Sequence, residues 1–139
     1  MTRVRDVMTA EVTSLHQGDE LTLADDIMRL GRIRHLPVLD ERGALVGIVS
    51  GRDLCQSALV KALGVEGAEH RKMLKTLRVQ EIMSTRLEVI GPDAPLAEAA
   101  QRMLKLKLGC LPVVEDGKLV GILTEADFVA LALDGRSKP

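Results

Sequence analysis

Aromatic side chains are almost absent from this chain: its 139 residues include one phenylalanine, Phe128, and neither tryptophan nor tyrosine. That lack argues against a single-stranded nucleic-acid platform, because such surfaces stack bases on aromatic rings. A planar ligand would have to be gripped by aliphatic side chains and backbone. Cysteine is nearly as scarce. Cys55 and Cys110 stand far apart without metal-ligand spacing and read as buried thiols, so no metal is expected. An excess of one charge is also missing. With a net charge of −1 and a pI near 6.3, the chain offers no global basic field to nucleic acid or an anionic membrane. No apolar run approaches the roughly 18 residues of a membrane helix, and the segment from Met1 to Asp6 has no signal-peptide core. The expectation is a cytoplasmic protein with neither nucleic acid nor membrane as partner. Nor is there a nucleophile beside a base, a metal cluster or a phosphate loop with lysine, so no catalytic residue is assigned and no enzyme is expected.

What the chain does have is an internal repeat. Leu36-Pro37-Val38-Leu39 and the run from Leu45 to Asp53 return as Leu111-Pro112-Val113-Val114 and the run from Leu119 to Asp127. Val4, Met8, Leu21, Ala24 and Met28 recur 75 positions later as Val79, Met83, Leu96, Ala99 and Met103, and beyond Pro37 the offset falls to 74. The lost residue lies where a hairpin tolerates it: Asp40-Glu41-Arg42-Gly43 becomes Glu115-Asp116-Gly117, an Asp-Gly hairpin signal against a longer turn closed by a glycine at positive φ. Repeat 1 covers residues 1–60, a helical linker 61–78, repeat 2 residues 79–134 and a frayed tail 135–139. Each copy, about 55 residues, buries too little surface alone, so a shared core is expected.

Each copy reads as strand, helix, strand, strand, helix, an α/β pattern of small sheets covered by helices. In the first copy the strand is Val12 to Leu15, a helix follows Asp19 as a possible cap, the hairpin runs from His35 to Leu39 and from Ala44 to Ser50, and a helix starts near Gly51. In the second the strand is Leu87 to Ile90, the helix runs from Pro95 to Lys107, the hairpin from Cys110 to Leu123, and the last helix from Glu125 to Leu133. The linker's basic cluster, Arg71, Lys72, Lys75 and Arg78, reads as a solvated helix face, with an anionic partner as the alternative. His16 and His70 read as surface residues, and Met28 and Met103 as core.

Chemical content sits in the repeated ending: Gly, two apolar residues, Ser or Thr, two variable residues, Asp. Ser50 with Asp53, and Thr124 with Asp127, have capping-box spacing at a strand-to-helix junction. The same junction offers helix amides to phosphate, and its acid can accept two hydrogen bonds from a vicinal diol such as a ribose.

With Val-Arg-Asp-Val-Met-Thr at 4–9, Val-Gln-Glu-Ile-Met-Ser at 79–84, two apolar-Pro-Val strands and both Gly-to-Asp endings, the chain resembles a tandem pair of cystathionine-β-synthase (CBS) domains, a Bateman module, from about Val4 to Leu133. The resemblance implies two βαββα repeats in a pseudo-twofold arrangement. It also implies clefts for an adenosine compound: AMP, ADP or ATP ahead of S-adenosylmethionine or NAD, as a ligand rather than a required cofactor. Asp53 and Asp127 match the ribose-binding acid, and Ser50 and Thr124 the hydroxyl beside it. Val12 and Leu87 match the apolar wall against adenine. The backbone around Leu36 and Leu111 matches the segment reading the adenine edge, with Pro37 and Pro112 ending its donor capacity. Arg34 and His35 match basic positions facing phosphate, whereas the second copy has Gly109 and Cys110 there. Gly51 and Arg52 likewise become Glu125 and Ala126, so one preferred site at Ser50, Arg52 and Asp53 is expected, with a weaker one at Thr124 and Asp127. His35 would make phosphate binding depend on pH near neutrality. A homodimer through Leu54, Leu59 and the helix from Glu125 is expected, with an effector protein as a further partner. The alternative is a ligand-free homodimeric scaffold whose hydroxyl and acid are only helix caps.

Overall fold

The computed structural model describes residues 1–56 and 68–134; Leu59, Gly64, Gly67 and residues 135–139 lie outside the described residues. In chain order the elements are α1 (Val4–Val7), β1 (Leu15–His16), α2 (Leu21–Gly31), β2 (His35–Leu39), β3 (Leu45–Ser50), α3 (Gly51–Gln56), α4 (Ala68–Thr76), α5 (Val79–Ile82), α6 (Leu96–Leu106), β4 (Cys110–Glu115), β5 (Lys118–Thr124) and α7 (Glu125–Leu133). The architecture is the expected α/β mixture of small sheets and helices. The chain divides into two compact units, and they are not the two sequence repeats. A continuous unit comprises Thr13–Leu87, and a split unit joins Met1–Val12 to Glu88–Pro139.

In the continuous unit a three-stranded sheet runs β1-β2-β3, with β1 parallel to β2 and β2 antiparallel to β3. Leu36, Val38 and Val49 from the sheet, Leu21 and Ala24 from α2, Leu54 from α3 and Leu74 from α4 form its core. The alternation of apolar residues along α2 at helical spacing turns one stripe inward, and burying such side chains contributes about 1.5–3 kcal/mol each before entropy is counted. Arg71 of α4 closes a bidentate pair on Asp26 of α2, at 2.9 and 3.1 Å, so one member of the basic cluster is committed within the unit.

In the split unit β4 and β5 form a two-stranded antiparallel sheet, and Val4 of α1 joins Ile90, Leu96, Ala99, Met103, Leu111, Val113 and Leu123 in the core. Its hairpin turns through Asp116 and Gly117, at φ 52° and 79°, the primed turn its Asp-Gly implies; Gly43 in the other hairpin has φ 82°. Both α2 and α6 end on a left-handed basic residue, Arg32 and Lys107, at equivalent positions of the repeat.

Four expectations fail locally. The first strand is Leu15–His16 rather than Val12 to Leu15. Of Leu87 to Ile90 only Ile90 pairs, with Val113; the chain passes from one unit to the other between Leu87 and Glu88, and Arg102 donates its guanidinium to the Val89 carbonyl at 2.8 Å and to Glu88 at 2.9 Å. Asp19 does not cap α2. Its carboxylate accepts the His16 amide at 2.8 Å, Glu20 takes the N-cap position, and the Leu21 amide bonds to the Leu77 carbonyl. Leu54, expected in a dimer contact, is 6% exposed and belongs to the core of its own unit.

Candidate ligand-binding site

The two Gly-to-Asp motifs are built alike, one in each unit. Strand β3 delivers Ser50 to the start of α3, where its amide donates to Asp53 Oδ2 at 2.9 Å and the Asp53 amide donates to Ser50 Oγ at 3.0 Å. Both bonds satisfy amides that a helix start would otherwise leave unpaired. Strand β5 delivers Thr124 to α7, where its amide donates to Asp127 Oδ2 at 2.8 Å and its hydroxyl approaches the same oxygen at 3.3 Å. The capping geometry read from the spacing is therefore present in both.

The glycine that opens each motif has a separate job. Gly47 and Gly121 lie on the hairpins, where a Cβ would stand 2.5 Å from Met83 Sδ and Met8 Sδ respectively. The methionines come close because the turn after each is bonded to the hairpin: Ser84 and Ile48 exchange amide-to-carbonyl bonds of 2.8 and 3.0 Å, and Thr9 and Ile122 exchange two of 2.9 Å. The Met-Ser turn of the second repeat is thus docked on the first repeat's hairpin, and the Met-Thr turn of the first on the second's. Consequently Leu87, half-buried, shares a unit with Ser50 and Asp53, and Val12, half-buried, shares one with Thr124 and Asp127.

In the continuous unit the expected phosphate-facing residues gather at the junction. His35 pairs with Ser50 across the sheet, and the Arg34 carbonyl accepts the Gly51 amide at 2.9 Å. Arg34 and Arg52 are exposed and His35 is half-buried. Leu36 and Pro37 are buried in β2, as Leu111 and Pro112 are in β4. In the split unit Cys110 takes the place of His35, opposite Thr124. Burial pushes its thiol up to about 11, so it is neutral near pH 7 and brings no charge to the junction.

Sequence reasoning passed over Thr9 and Ser84. Thr9 Oγ1 donates to Asp127 Oδ1 at 3.0 Å, which engages both oxygens of that carboxylate. The signal was there in the equivalence of Met8-Thr9 and Met83-Ser84, but their partners lie on the other copy. A separate cavity of about 350 Å³ in the split unit is lined by Met1, Thr2, Pro95, Leu96, Ala97, Ala100 and Phe128. Among the described residues no helix is long and apolar enough to cross a membrane.

The family model of the CBS domain matches twice, over residues 4–59 and 79–134. The chain belongs to the CBS domain family. It is 36% identical to a putative acetoin utilization protein, AcuB, from Vibrio cholerae, covering 100% of this chain and 99% of that one with a TM-score of 0.81. The CBS domain pair of protein MJ0100, solved with 5′-methylthioadenosine and S-adenosyl-L-methionine, is 29% identical, covering 98% of this chain and 99% of that one, with a TM-score of 0.77. CBSX2 in complex with AMP is 29% identical, covering 96% of this chain and 98% of that one, at 0.78. A homoserine O-acetyltransferase of Methanococcoides burtonii matches 91% of the chain at 32% identity, yet the chain spans 23% of that protein. Over the first curated relatives the span stays near a quarter, so their named activities belong to longer proteins.

Proposed function

We propose that this CBS pair is a regulatory module that binds an adenosine nucleotide, AMP, ADP or ATP ahead of S-adenosylmethionine or NAD. The observation that carries the reading is the junction of the continuous unit. Asp53 is held by its cap through Oδ2, while Oδ1 accepts no hydrogen bond among the described residues, and Arg34 and Arg52 stand exposed beside it. A ribose diol takes the open edge of that acid. The phosphate then meets the guanidinium groups, each charge-assisted hydrogen bond contributing about 1.5–3 kcal/mol when partly desolvated. AMP in CBSX2 and S-adenosyl-L-methionine in MJ0100 support the ligand class. Binding transmits a signal only if one arrangement of the protein takes the ligand better than another, and the receiver of that signal is an effector protein. The match to the CBS domain over both repeats supports regulation rather than catalysis.

One feature favours the scaffold alternative. Helix α7 is apolar over most of its length and buries none of its residues, with Val129 58% and Leu133 82% exposed, which suits a homodimer contact. Dimerisation and nucleotide binding are compatible; the readings part only on the ligand.

Thermal-shift and calorimetric titration with AMP, ADP, ATP, NAD and S-adenosylmethionine separates them. A ligand at 100 times its Kd adds about 2.7 kcal/mol of stability. Asp53→Asn, which keeps an oxygen for the cap, is expected to remove more of the effect than Asp127→Asn. No stabilisation by any of the five at millimolar concentration leaves the scaffold reading, and equal losses at the two acids refute the inequality of the sites.

A further inference from the structure

We infer that Thr9 determines the weakness of the split unit's site, its hydroxyl occupying the edge of Asp127 that a diol needs. The inference rests on the nucleotide reading above and deepens it. Asp127 Oδ2 is taken by the Thr124 amide at 2.8 Å and Oδ1 by the Thr9 hydroxyl at 3.0 Å. At the equivalent place in the continuous unit stands Ser84, and it makes no hydrogen bond to Asp53 among the described residues. The acids are identical and their caps are alike; the resident donor is not.

Thr9 cannot simply drift away. Its backbone exchanges two 2.9 Å bonds with Ile122, and Met8 is bound through its amide to the Val4 carbonyl, with its thioether against Gly121. Only rotation about χ1 removes the hydroxyl, and a β-branched side chain has few rotamers to choose from. A diol arriving at Asp127 therefore exchanges one charge-assisted hydrogen bond for another, whereas at Asp53 it gains one. Thr9 acts as a specificity-determining residue: it biases the ligand toward the continuous unit, in the same direction as the replacement of Arg34 and Arg52 by Gly109 and Ala126.

The test is calorimetry of AMP binding to the full chain, comparing the unsubstituted protein with Thr9→Val, Thr9→Ala and Thr9→Ser. Removing the hydroxyl is expected to tighten the weaker binding event by about tenfold, the scale of one hydrogen bond to a charged group. Thr9→Ser, which keeps the donor, is expected to behave as the parent, and Asp127→Asn added to Thr9→Val is expected to abolish the gain. Two replacements of different volume keep the result readable if either fails to fold. If AMP binds the parent and Thr9→Val leaves the weaker event unchanged, or weakens it, the inference fails while the nucleotide reading stands. If AMP binds neither parent nor variants at millimolar concentration, both fall together.

Discussion

Replacing Gly47 or Gly121 by alanine tests the packing on which both candidate sites depend. At Gly47 the added methyl meets Met83 Sδ at 2.5 Å, Met83 Cγ at 2.8 Å and the Ser84 carbonyl oxygen at 3.0 Å; at Gly121 it meets Met8 Sδ at 2.5 Å, Met8 Cγ at 3.1 Å and the Thr9 carbonyl oxygen at 3.1 Å. A methionine can swing aside, but the carbonyls cannot, because each accepts the amide of Ile48 or Ile122 within 3.0 Å. The turn must lift off the hairpin or the hairpin must bend. Overpacking of this kind costs about 1–3 kcal/mol. With an unfolding entropy of about 2.1 cal/mol/K per residue, a chain of this length that unfolds as one loses roughly 3–10 °C in Tm. Gly91→Ala is the control. A Cβ there meets nothing within 4 Å and its φ is not left-handed, so alanine is expected to be neutral or to stabilise by about 0.4–1 kcal/mol through the unfolded chain. Calorimetric melting of the three variants decides the matter. A Gly47→Ala or Gly121→Ala protein melting with Gly91→Ala would falsify the close approach and, with it, the docking of the methionine turns.

Two further expectations concern titration and reactivity. The Arg71 guanidinium, ahead of Arg29, holds the Asp26 carboxyl down at about 2 against its ordinary 3.8, so the pair's stabilisation is complete above pH 3.8 and is lost as pH falls toward 2. Hydrogen exchange of α4 is accordingly expected to differ between parent and Asp26→Asn near pH 5 and to converge near pH 2; a constant difference across that range refutes the linkage. Burial pushes the Cys110 thiol up to about 11, so iodoacetamide at pH 8 is expected to alkylate it slowly in the native protein and quickly in denaturant. Equal rates in the two states overturn the assignment.

The parts legible from sequence were those specified by short-range chemistry. Asp116-Gly117 calls for a primed hairpin, and both residues have the positive φ that such a turn requires. Glu125 to Leu133 was marked as a helix by the hydroxyl and acid that cap it, and those bounds hold. A strand of two residues such as Leu15–His16 has no period to recognise, and Leu87 to Ile90 straddles the division between the two units, which no local pattern reports. The candidate residues could be named one by one from the sequence, but not their grouping. Ser50, Asp53, Thr124 and Asp127 announced themselves by spacing, and Arg34 and His35 by their contrast with Gly109 and Cys110. That Thr9 faces Asp127 is a contact across 118 positions, which no local pattern reports.

The exchanged turns alter what divergence between the copies means. Had each repeat folded on itself, a change from threonine to serine in the Met-Thr turn would touch only the acid of its own copy. Because the turns are exchanged, the hydroxyl that the first repeat retained at Thr9 acts on Asp127 of the second, while Ser84 of the second stands beside the hairpin that leads to Asp53 of the first. The first repeat also carries Arg34, His35 and Arg52 at the strand-to-helix junction of the continuous unit, the unit of Asp53 rather than of Asp127. Two unrelated differences, one in a turn and one at a strand-to-helix junction, thus fall on the same side of the balance. Together they leave Asp53 with an oxygen, Oδ1, that accepts no hydrogen bond among the described residues and with exposed Arg34 and Arg52 in its unit, and Asp127 with both oxygens engaged, in the unit of Glu125 and the neutral buried Cys110 thiol. The inequality proposed above would therefore follow from the connectivity of the chain as much as from the residues that differ between the copies.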